Sequence, residues 1–189
     1  MPTPDNFYEL PKDLPVPFDD GASDHLPGLK LPSISLISTA GTAVDVATLS
    51  GRTVIYCYPR TGRPGQLLPR GWNEIPGARG CTPQSCGFRD HFAELEALGV
   101  RVYGLSTQDT NHQKEAVQRL NLPFELLSDS DLAFARSLQL PVFQVESMIL
   151  IKRLTLISDD GRISKVFYPV FPPDRSVDEV IEWLSRNRR

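Results

Sequence analysis

Short runs of strand-forming residues alternate with amphipathic segments along most of the chain. Residues 53–58 form a continuous run of strand-forming residues closed by a proline, which is typical of a strand buried on both faces. The pattern beyond it predicts helices over 83–98, 111–120, 131–138 and from 176 onward, and strands over 100–105, 124–127, 148–157 and 163–168. Because strands and helices alternate, the chain is predicted to have an α/β fold.

Two turn signals predict antiparallel pairs within the sheet. Asp160-Gly161 separates the last two predicted strands, and this dipeptide is a strong hairpin signal. A shorter alternation of apolar residues over 34–46 surrounds Gly41 and predicts a second strand pair. Together with the β-α-β-α order that precedes the hairpin, these pairs predict a central mixed sheet.

Two segments show neither the periodicity of a helix nor that of a strand. Residues 1–32 are rich in proline and aspartate, and we expect them to be an N-terminal extension packed on a domain formed by residues 33–189. Residues 60–80, here called the 60–80 segment, are rich in glycine and proline and predict an irregular loop. Loops of that length are uncommon in compact domains and tend to be functional or mobile.

Composition and charge narrow the class of protein. The chain has 189 residues, 40 % of them hydrophobic, with 23 acidic and 20 basic side chains, which suits a globular domain that folds without disulfides. The net charge of −3 gives no basic excess for phosphates, so nucleic acid and membrane surfaces are not expected as partners. No stretch approaches the roughly 20 apolar residues of a spanning helix. The sequence therefore predicts a soluble, cytoplasmic protein.

Three cysteines are the main candidates for chemistry. Their odd number and unequal spacing do not suit a disulfide scaffold. Cys57 lies within the predicted strand over 53–58 and is expected to fill the core as a small apolar residue. A zinc site is not favoured, because only Cys81 and Cys86 are close and the three histidines are scattered. We therefore expect no metal or cofactor.

Cys81 lies just before the predicted helix over 83–98, with Thr82 as its candidate N-cap. Unpaired N–H groups and the helix dipole at such a position favour a thiolate, which is a nucleophile. On one regular helix, the Cα atoms of Cys81 and Cys86 would be roughly 8 to 9 Å apart. A disulfide needs Cα atoms within about 7 Å, so it would require unwinding unless Cys81 lies outside the helix. On these residues alone, two structural thiols remain an alternative.

Three ordered motifs run from residue 80 to residue 163. They are GCTPQSCGFRDHF over 80–92, YGLSTQDTNHQKEAVQRLNLPFELLSDSD over 103–131 and KRLTLISDDGRI over 152–163. As a set they resemble the peroxiredoxins, specifically the Q or bacterioferritin-comigratory branch. The resemblance covers most of the chain from Val54 onward. It implies a thioredoxin-like fold, which is a three-layer sandwich with a central mixed sheet and flanking helices.

The resemblance also implies a reaction and its residues. The protein would be a peroxidase that reduces hydrogen peroxide or organic hydroperoxides, as a monomer or homodimer. Cys81 would be the peroxidatic cysteine, which becomes a sulfenic acid, and Cys86 the resolving cysteine, which condenses with it to a disulfide. Thioredoxin or a similar dithiol donor would then reduce that disulfide.

Arg153 aligns with the arginine that binds the peroxide in this family and stabilises the thiolate. It also interrupts the apolar run over 148–157, and a partly buried guanidinium needs an anionic or hydrogen-bonding partner. A charge exposed at a strand edge is the alternative interpretation.

The chain departs from the family immediately before Cys81. Peroxiredoxins resemble one another around PxxxTxxC, but the positions seven and three residues before Cys81 hold Glu74 and Ala78. Thr61 is one candidate for the missing threonine, and the backbone amides of residues 77–80 are another.

Two other functions stay open at this stage. The altered segment before Cys81 is compatible with a single-cysteine peroxidase or peroxide sensor, in which Cys86 is structural. The 60–80 segment could instead make the chain a non-enzymatic binding protein. Trp72 and Leu67-Leu68 would be its exposed contact residues, although packing within the loop or core is the simpler interpretation of Trp72.

Overall fold

A computed structural model describes residues 6–188 and contains nine strands and five α-helices in that range. The strands are β1 Leu36–Ser38, β2 Ala43–Val44, β3 Arg52–Cys57, β4 Val100–Ser106, β5 Glu125–Ser128, β6 Val142–Val145, β7 Met148–Ile151, β8 Leu154–Asp159 and β9 Arg162–Phe167. The helices are α1 Cys81–Asp90, α2 Phe92–Ala97, α3 Thr110–Leu120, α4 Ala133–Leu138 and α5 Ser176–Arg186. Three short 3₁₀ turns add Val46–Thr48, Trp72–Glu74 and Pro173–Arg175.

Seven of the strands form one mixed sheet in the order β2-β1-β5-β4-β3-β8-β9. The central strand β3 is parallel to β4 and antiparallel to β8, and β4 is parallel to β5. The pairs β1–β2 and β8–β9 are antiparallel, as the two turn signals predict. The expected mixed sheet is therefore confirmed.

Helices cover both faces of the sheet. Side chains alternate between these two faces along β3, so the strand contributes to both cores. Val54 and Tyr56 face a core that also contains apolar residues of α1, α2, α3 and α5. Ile55 and Cys57 face a second core with residues of α4. The predicted three-layer α/β arrangement is confirmed, and Cys57 fills the core as expected.

The helix predicted over 83–98 is divided, and this expectation was wrong. His91 has φ −105° and ψ 11°, which are not helical, and its ring Nδ1 lies 3.0 Å from the carbonyl oxygen of Gly87. The backbone N–H of His91 still donates to the same carbonyl over 3.2 Å, so the interruption lies in the φ and ψ of His91. The chain therefore forms α1 and α2 as separate helices.

The strand predicted over 148–157 is also divided. β7 pairs with β6 in a separate two-stranded sheet, whereas β8 joins the main sheet beside β3. Lys152 and Arg153 lie between the two strands, and the side chain of Arg153 is buried and bound to carbonyls of the 60–80 segment. Residues 148–157 thus contribute one strand to each of two sheets.

The 60–80 segment has a small core of its own. Trp72 and Ala78 pack there with Val145 of β6 and Leu150 of β7. Trp72 is only 3 % exposed, so its proposed role as an exposed contact residue was wrong, whereas Leu67 is 96 % exposed. The segment is thus an irregular loop that is fixed to the β6–β7 hairpin.

Several residues between positions 6 and 32 contact the rest of the chain, while residues 1–5 are outside the described range. Leu26 and Leu31 are buried in the second core, and Phe7 packs against Gly62. Between residues 6 and 188, no helix combines the length and apolar character needed to cross a membrane. The same range contains no group of three or more histidine, cysteine or acidic side chains suited to a metal ion.

The stacking of Phe88 on Tyr56 provides a test of how α1 is attached to the sheet. The two rings are 4.5 Å apart at 8° and both are fully buried. We expect Phe88→Ala to lower the free energy of unfolding by about 3 to 5 kcal/mol, because it leaves a cavity between helix and sheet. Urea denaturation measures this change. Leu67→Ala is the control and should change the value by less than about 0.5 kcal/mol; equal effects would contradict this packing.

Candidate active site

Cys81 is the first residue of α1, rather than the residue before the helix. Gly80 is the N-cap and has φ +107°, a conformation that side-chain-bearing residues rarely adopt. A Cβ at Gly80 would lie 2.3 Å from Pro173, so glycine is also required by the close packing there. The helix therefore begins at Cys81, one residue before Thr82, which the sequence suggested as the N-cap. Cys81 thus lies in the first helical turn, whose N–H groups have no partner within the helix.

The Cys81 thiol is buried beside a buried arginine. Both side chains are 3 % exposed, and Arg153 Nη2 donates to Cys81 Sγ over 3.2 Å. In its thiol form, Cys81 can itself donate to the carbonyl of Ala78, with 3.7 Å between the sulfur and the oxygen. A guanidinium in hydrogen-bonding contact with sulfur stabilises the thiolate more than the neutral thiol.

Arg153 is held in place by several oxygen atoms that surround the cysteine. Its Nη2 also donates to the carbonyls of Ala78 and Arg79, at 3.1 and 3.2 Å, and its Nη1 donates to Gln84 Oε1 of α1. Gln84 in turn donates to Ser176 Oγ over 3.3 Å. Its third nitrogen, Nε, is buried and has no partner among residues 6–188. The alternative of an exposed strand-edge charge is therefore wrong.

Thr61 is buried, and its hydrogen bonds are to Gln108 rather than to Cys81. Its backbone N–H and its Oγ1 both donate to Gln108 Oε1, at 2.9 and 3.2 Å, and its carbonyl accepts from Gln108 Nε2. In this arrangement its hydroxyl hydrogen is directed to Gln108 rather than to Cys81. The segment before Cys81 instead supplies two carbonyls, those of Ala78 and Arg79, which bind Arg153.

Two polar residues at the site were not singled out from the sequence. Gln84 could have been noticed, because it lies one helical turn after Cys81. Arg60 lies three residues after the end of β3 and is half-buried. Burial lowers its pKa, although the charges of Cys81 and Glu146 act in the opposite direction. The only sequence signal for Arg60 was its place after the proline that closes the central strand.

Cys86 lies on the same helix as Cys81, and both thiols are free. Since α1 is continuous between them, their Cα atoms are separated by roughly 8 to 9 Å, beyond the reach of a disulfide, which is about 7 Å. Cys86 is partly buried against the first core, and burial raises its pKa, so it is a neutral thiol at pH 7. Cys57 is on the opposite face of the sheet and takes no part in this site.

Comparison with known proteins places this geometry in a family. Residues 26–181 match the profile of the Redoxin family. The chain is 31 % identical over 159 residues to a putative Bcp peroxiredoxin of Coxiella burnetii, which covers 82 % of this chain and 95 % of the relative. It is 30 % identical over 161 residues to peroxiredoxin Bcp of Escherichia coli, and this match covers 82 % of this chain and 93 % of that relative.

Comparison with solved structures relates the fold to the same group of proteins. The crystal structure of peroxidoxin BcpB from Mycobacterium tuberculosis superposes with a TM-score of 0.69 at 23 % identity, covering 87 % of this chain and all of that one. The thioredoxin-like fold is therefore confirmed. With the sequence relationships, it follows that the chain belongs to the Redoxin family and, within it, to the Bcp and Q group of peroxiredoxins, which are thiol peroxidases.

Proposed function

We propose that the protein reduces hydrogen peroxide and organic hydroperoxides at Cys81. The thiolate attacks one peroxide oxygen, so the S–O bond forms as the O–O bond breaks, and the alkoxide or hydroxide that leaves takes up a proton. Sulfur is oxidised to the sulfenic acid and the peroxide is reduced to an alcohol or water. The observation that carries this proposal is the 3.2 Å contact between Arg153 Nη2 and Cys81 Sγ, with both groups buried.

Arg153 has two roles in this reaction. Its Nη2 donates to the sulfur that attacks the peroxide, and its Nε, which has no partner among residues 6–188, is a donor for an oxygen of the bound peroxide. A fixed cation beside the breaking O–O bond stabilises the charge that develops on the leaving oxygen. The carbonyls of Ala78 and Arg79 keep the guanidinium in that orientation.

We infer that Cys86 completes the cycle as the resolving cysteine. Its sulfur attacks the sulfenic sulfur of Cys81, which forms the disulfide and releases the sulfenic oxygen as water. Because both cysteines lie on α1, the first turns of the helix must unwind for the sulfurs to meet. Unwinding breaks the contacts of Gln84 with Arg153 and Ser176 and the 3.0 Å contact between Ser85 Oγ and Tyr56 Oη.

The disulfide then requires an external reductant. A dithiol such as thioredoxin attacks one sulfur to form a mixed disulfide and then closes its own disulfide, which restores two thiols on this chain. In the intact helix, Cys86 is the more accessible of the two sulfurs, since Cys81 is buried. Such a reductant is abundant in a reducing cytoplasm, where we place the protein as a monomer or homodimer.

The first prediction concerns the assignment of the nucleophile. Cys81→Ser should abolish peroxide consumption in the presence of dithiothreitol, because a serine hydroxyl is not ionised at neutral pH. Cys57→Ala is the matched control and should retain activity, since Cys57 lies in the other core. Steady-state consumption of hydrogen peroxide measures both variants. Wild-type activity in Cys81→Ser would refute the assignment.

The second prediction separates the two-cysteine cycle from a single-cysteine peroxidase or sensor. After one equivalent of hydrogen peroxide, the intact mass of the wild type should fall by about 2 Da, as expected for a disulfide, whereas Cys86→Ser should gain about 16 Da, as expected for a sulfenic acid. Mass spectrometry under non-reducing conditions measures both. A stable gain of about 16 Da in the wild type would show that Cys86 is structural.

The third prediction concerns Arg153. Arg153→Lys keeps the positive charge but removes the planar set of donors that binds Cys81, Gln84 and two carbonyls at once. We expect the second-order rate constant of Cys81 with hydrogen peroxide to fall by about 100- to 1,000-fold. Stopped-flow fluorescence measures it. Arg101→Lys, an exposed arginine near the start of β4, is the control and should react at the wild-type rate.

A further inference from the structure

The N-terminal extension contacts the residue that lies two positions before Cys81. Arg79 Nη2 donates to the carbonyl of Asn6 over 2.9 Å, and the guanidinium carbon of Arg79 lies 5.6 Å from the centre of the Phe7 ring, which is a cation–π contact. Phe7 is itself buried. Residues 6–10, here called the 6–10 segment, therefore reach the 60–80 segment close to the start of α1.

Leu10 of the 6–10 segment lies against the N-cap of α1. A Cβ at Gly80 would be 2.8 Å from Leu10 Cδ2 and 2.3 Å from Pro173, so these two side chains leave no room for one at Gly80. The carbonyl of Gly80 also accepts the first hydrogen bond of α1, from the N–H of Gln84 over 3.0 Å. The position of the first helical turn therefore depends on the packing of Leu10 and Pro173 around Gly80.

Arg79 connects the 6–10 segment to the reactive sulfur. Its side chain is bound to Asn6 and lies over Phe7, while its carbonyl accepts from Arg153 Nη2 over 3.2 Å. The same Nη2 donates to Cys81 Sγ. Contacts that fix Arg79 therefore also fix one of the acceptors that orient Arg153 toward the sulfur.

The 6–10 segment is outside the part of the chain that matches the family. The Redoxin match begins at residue 26. The segment packs on the 60–80 segment, in which the chain departs from the pattern PxxxTxxC, and a Cβ at Gly62 would lie 2.3 Å from the Phe7 ring. The contact between these two segments is consequently a property of this chain rather than of the match.

From these contacts we propose that Phe7 and Leu10 are positioning residues, which hold the start of α1 in the form that presents Cys81 to Arg153 and oppose its unwinding toward Cys86. This inference rests on the proposed function. In the step concerned, the sulfur of Cys86 attacks the sulfenic sulfur, the S–S bond forms as the S–O bond breaks, and the oxygen leaves as water with the proton of the Cys86 thiol. Because the contacts of Leu10 and Phe7 favour the intact helix over the unwound one, they slow this step.

The first test follows the two chemical steps separately. Reduced protein is mixed with hydrogen peroxide, quenched with acid at successive times and analysed by intact mass, in which the sulfenic acid is about 16 Da heavier than the reduced chain and the disulfide about 2 Da lighter. We expect Leu10→Ala to speed conversion of the sulfenic acid to the disulfide by about fivefold, because it removes apolar contact with the intact helix. Formation of the sulfenic acid should keep about the wild-type rate.

Two further variants separate positioning from general destabilisation. Leu31→Ala truncates another leucine of the N-terminal extension, one that is buried in the second core. It should lower the free energy of unfolding without changing the rate of disulfide formation. Leu10→Met keeps an apolar chain against Gly80 and should restore the wild-type rate. Since Leu10 is only partly buried, its truncation should not prevent folding. Equal rates in wild type and Leu10→Ala, or an equal acceleration in Leu31→Ala, would overturn the proposal.

Amide hydrogen exchange tests the same role without peroxide. In the reduced protein, Leu10→Ala and Phe7→Ala should each speed the exchange of amides 84–86 by about fivefold, since these N–H groups are protected only while the first turns of α1 are formed. The amides of β3 should exchange at the wild-type rate. Unchanged exchange at residues 84–86 would contradict the positioning role.

The failure of this role and the failure of the proposed function give different results. If the wild type forms the disulfide and Leu10→Ala leaves its rate unchanged, the positioning role is refuted and the function stands. If the wild type consumes peroxide no faster than Cys81→Ser, or forms no disulfide, the proposed cycle fails. The exchange of amides 84–86 then still decides whether Leu10 and Phe7 hold the start of the helix.

Discussion

The buried guanidinium of Arg153 is the interaction on which the candidate site depends. A buried cation is unfavourable unless hydrogen bonds and charge partners surround it. Here its partners are the sulfur of Cys81, the side chain of Gln84 and the carbonyls of Ala78 and Arg79. All of them lie on α1 or immediately before it, whereas Arg153 lies between β7 and β8. The arginine thus joins the helix N-terminus to the sheet.

This requirement explains why the 60–80 segment folds. Two of the partners of Arg153 are carbonyls of that segment, so its backbone has to be fixed for the guanidinium to be satisfied. The small core of Trp72, Ala78, Val145 and Leu150 provides this fixation, because Ala78 belongs both to that core and to the set of partners. Backbone carbonyls bound to Arg153 thus occupy the segment where the family pattern would place its threonine. The long segment before Cys81 is therefore a structural part of the site.

The sequence predicted the elements whose cause is local. The continuous apolar run of β3, the Asp160-Gly161 turn and the apolar face of α3 were predicted because each depends on residues close in the chain. The environments of Trp72 and Arg153 were harder to predict, because they are set by contacts with distant segments. Trp72 is buried by a hairpin about 70 residues later, and no local pattern shows such a partner. The cysteine pair and Arg153 were found through motifs, while Arg60 carried no motif and was missed.

The helix α1 has to satisfy two opposing requirements. As an intact helix it presents Cys81 to Arg153, but the proposed disulfide with Cys86 requires its first turns to unwind. Its sequence suits both: Pro83 in the first turn removes a donor that the turn does not use, and Gly87, directly after Cys86, lowers the intrinsic stability of the helix by about 1 kcal/mol relative to alanine where the unwound part would end. The stacking of Phe88 on Tyr56 holds the rest of the helix to the sheet. Because that anchor follows Cys86 in the chain, the first turns can unwind while the second half of α1 stays attached. The change of shape needed for the proposed disulfide would then be confined to the first half of α1, while Phe88 keeps its contact with Tyr56.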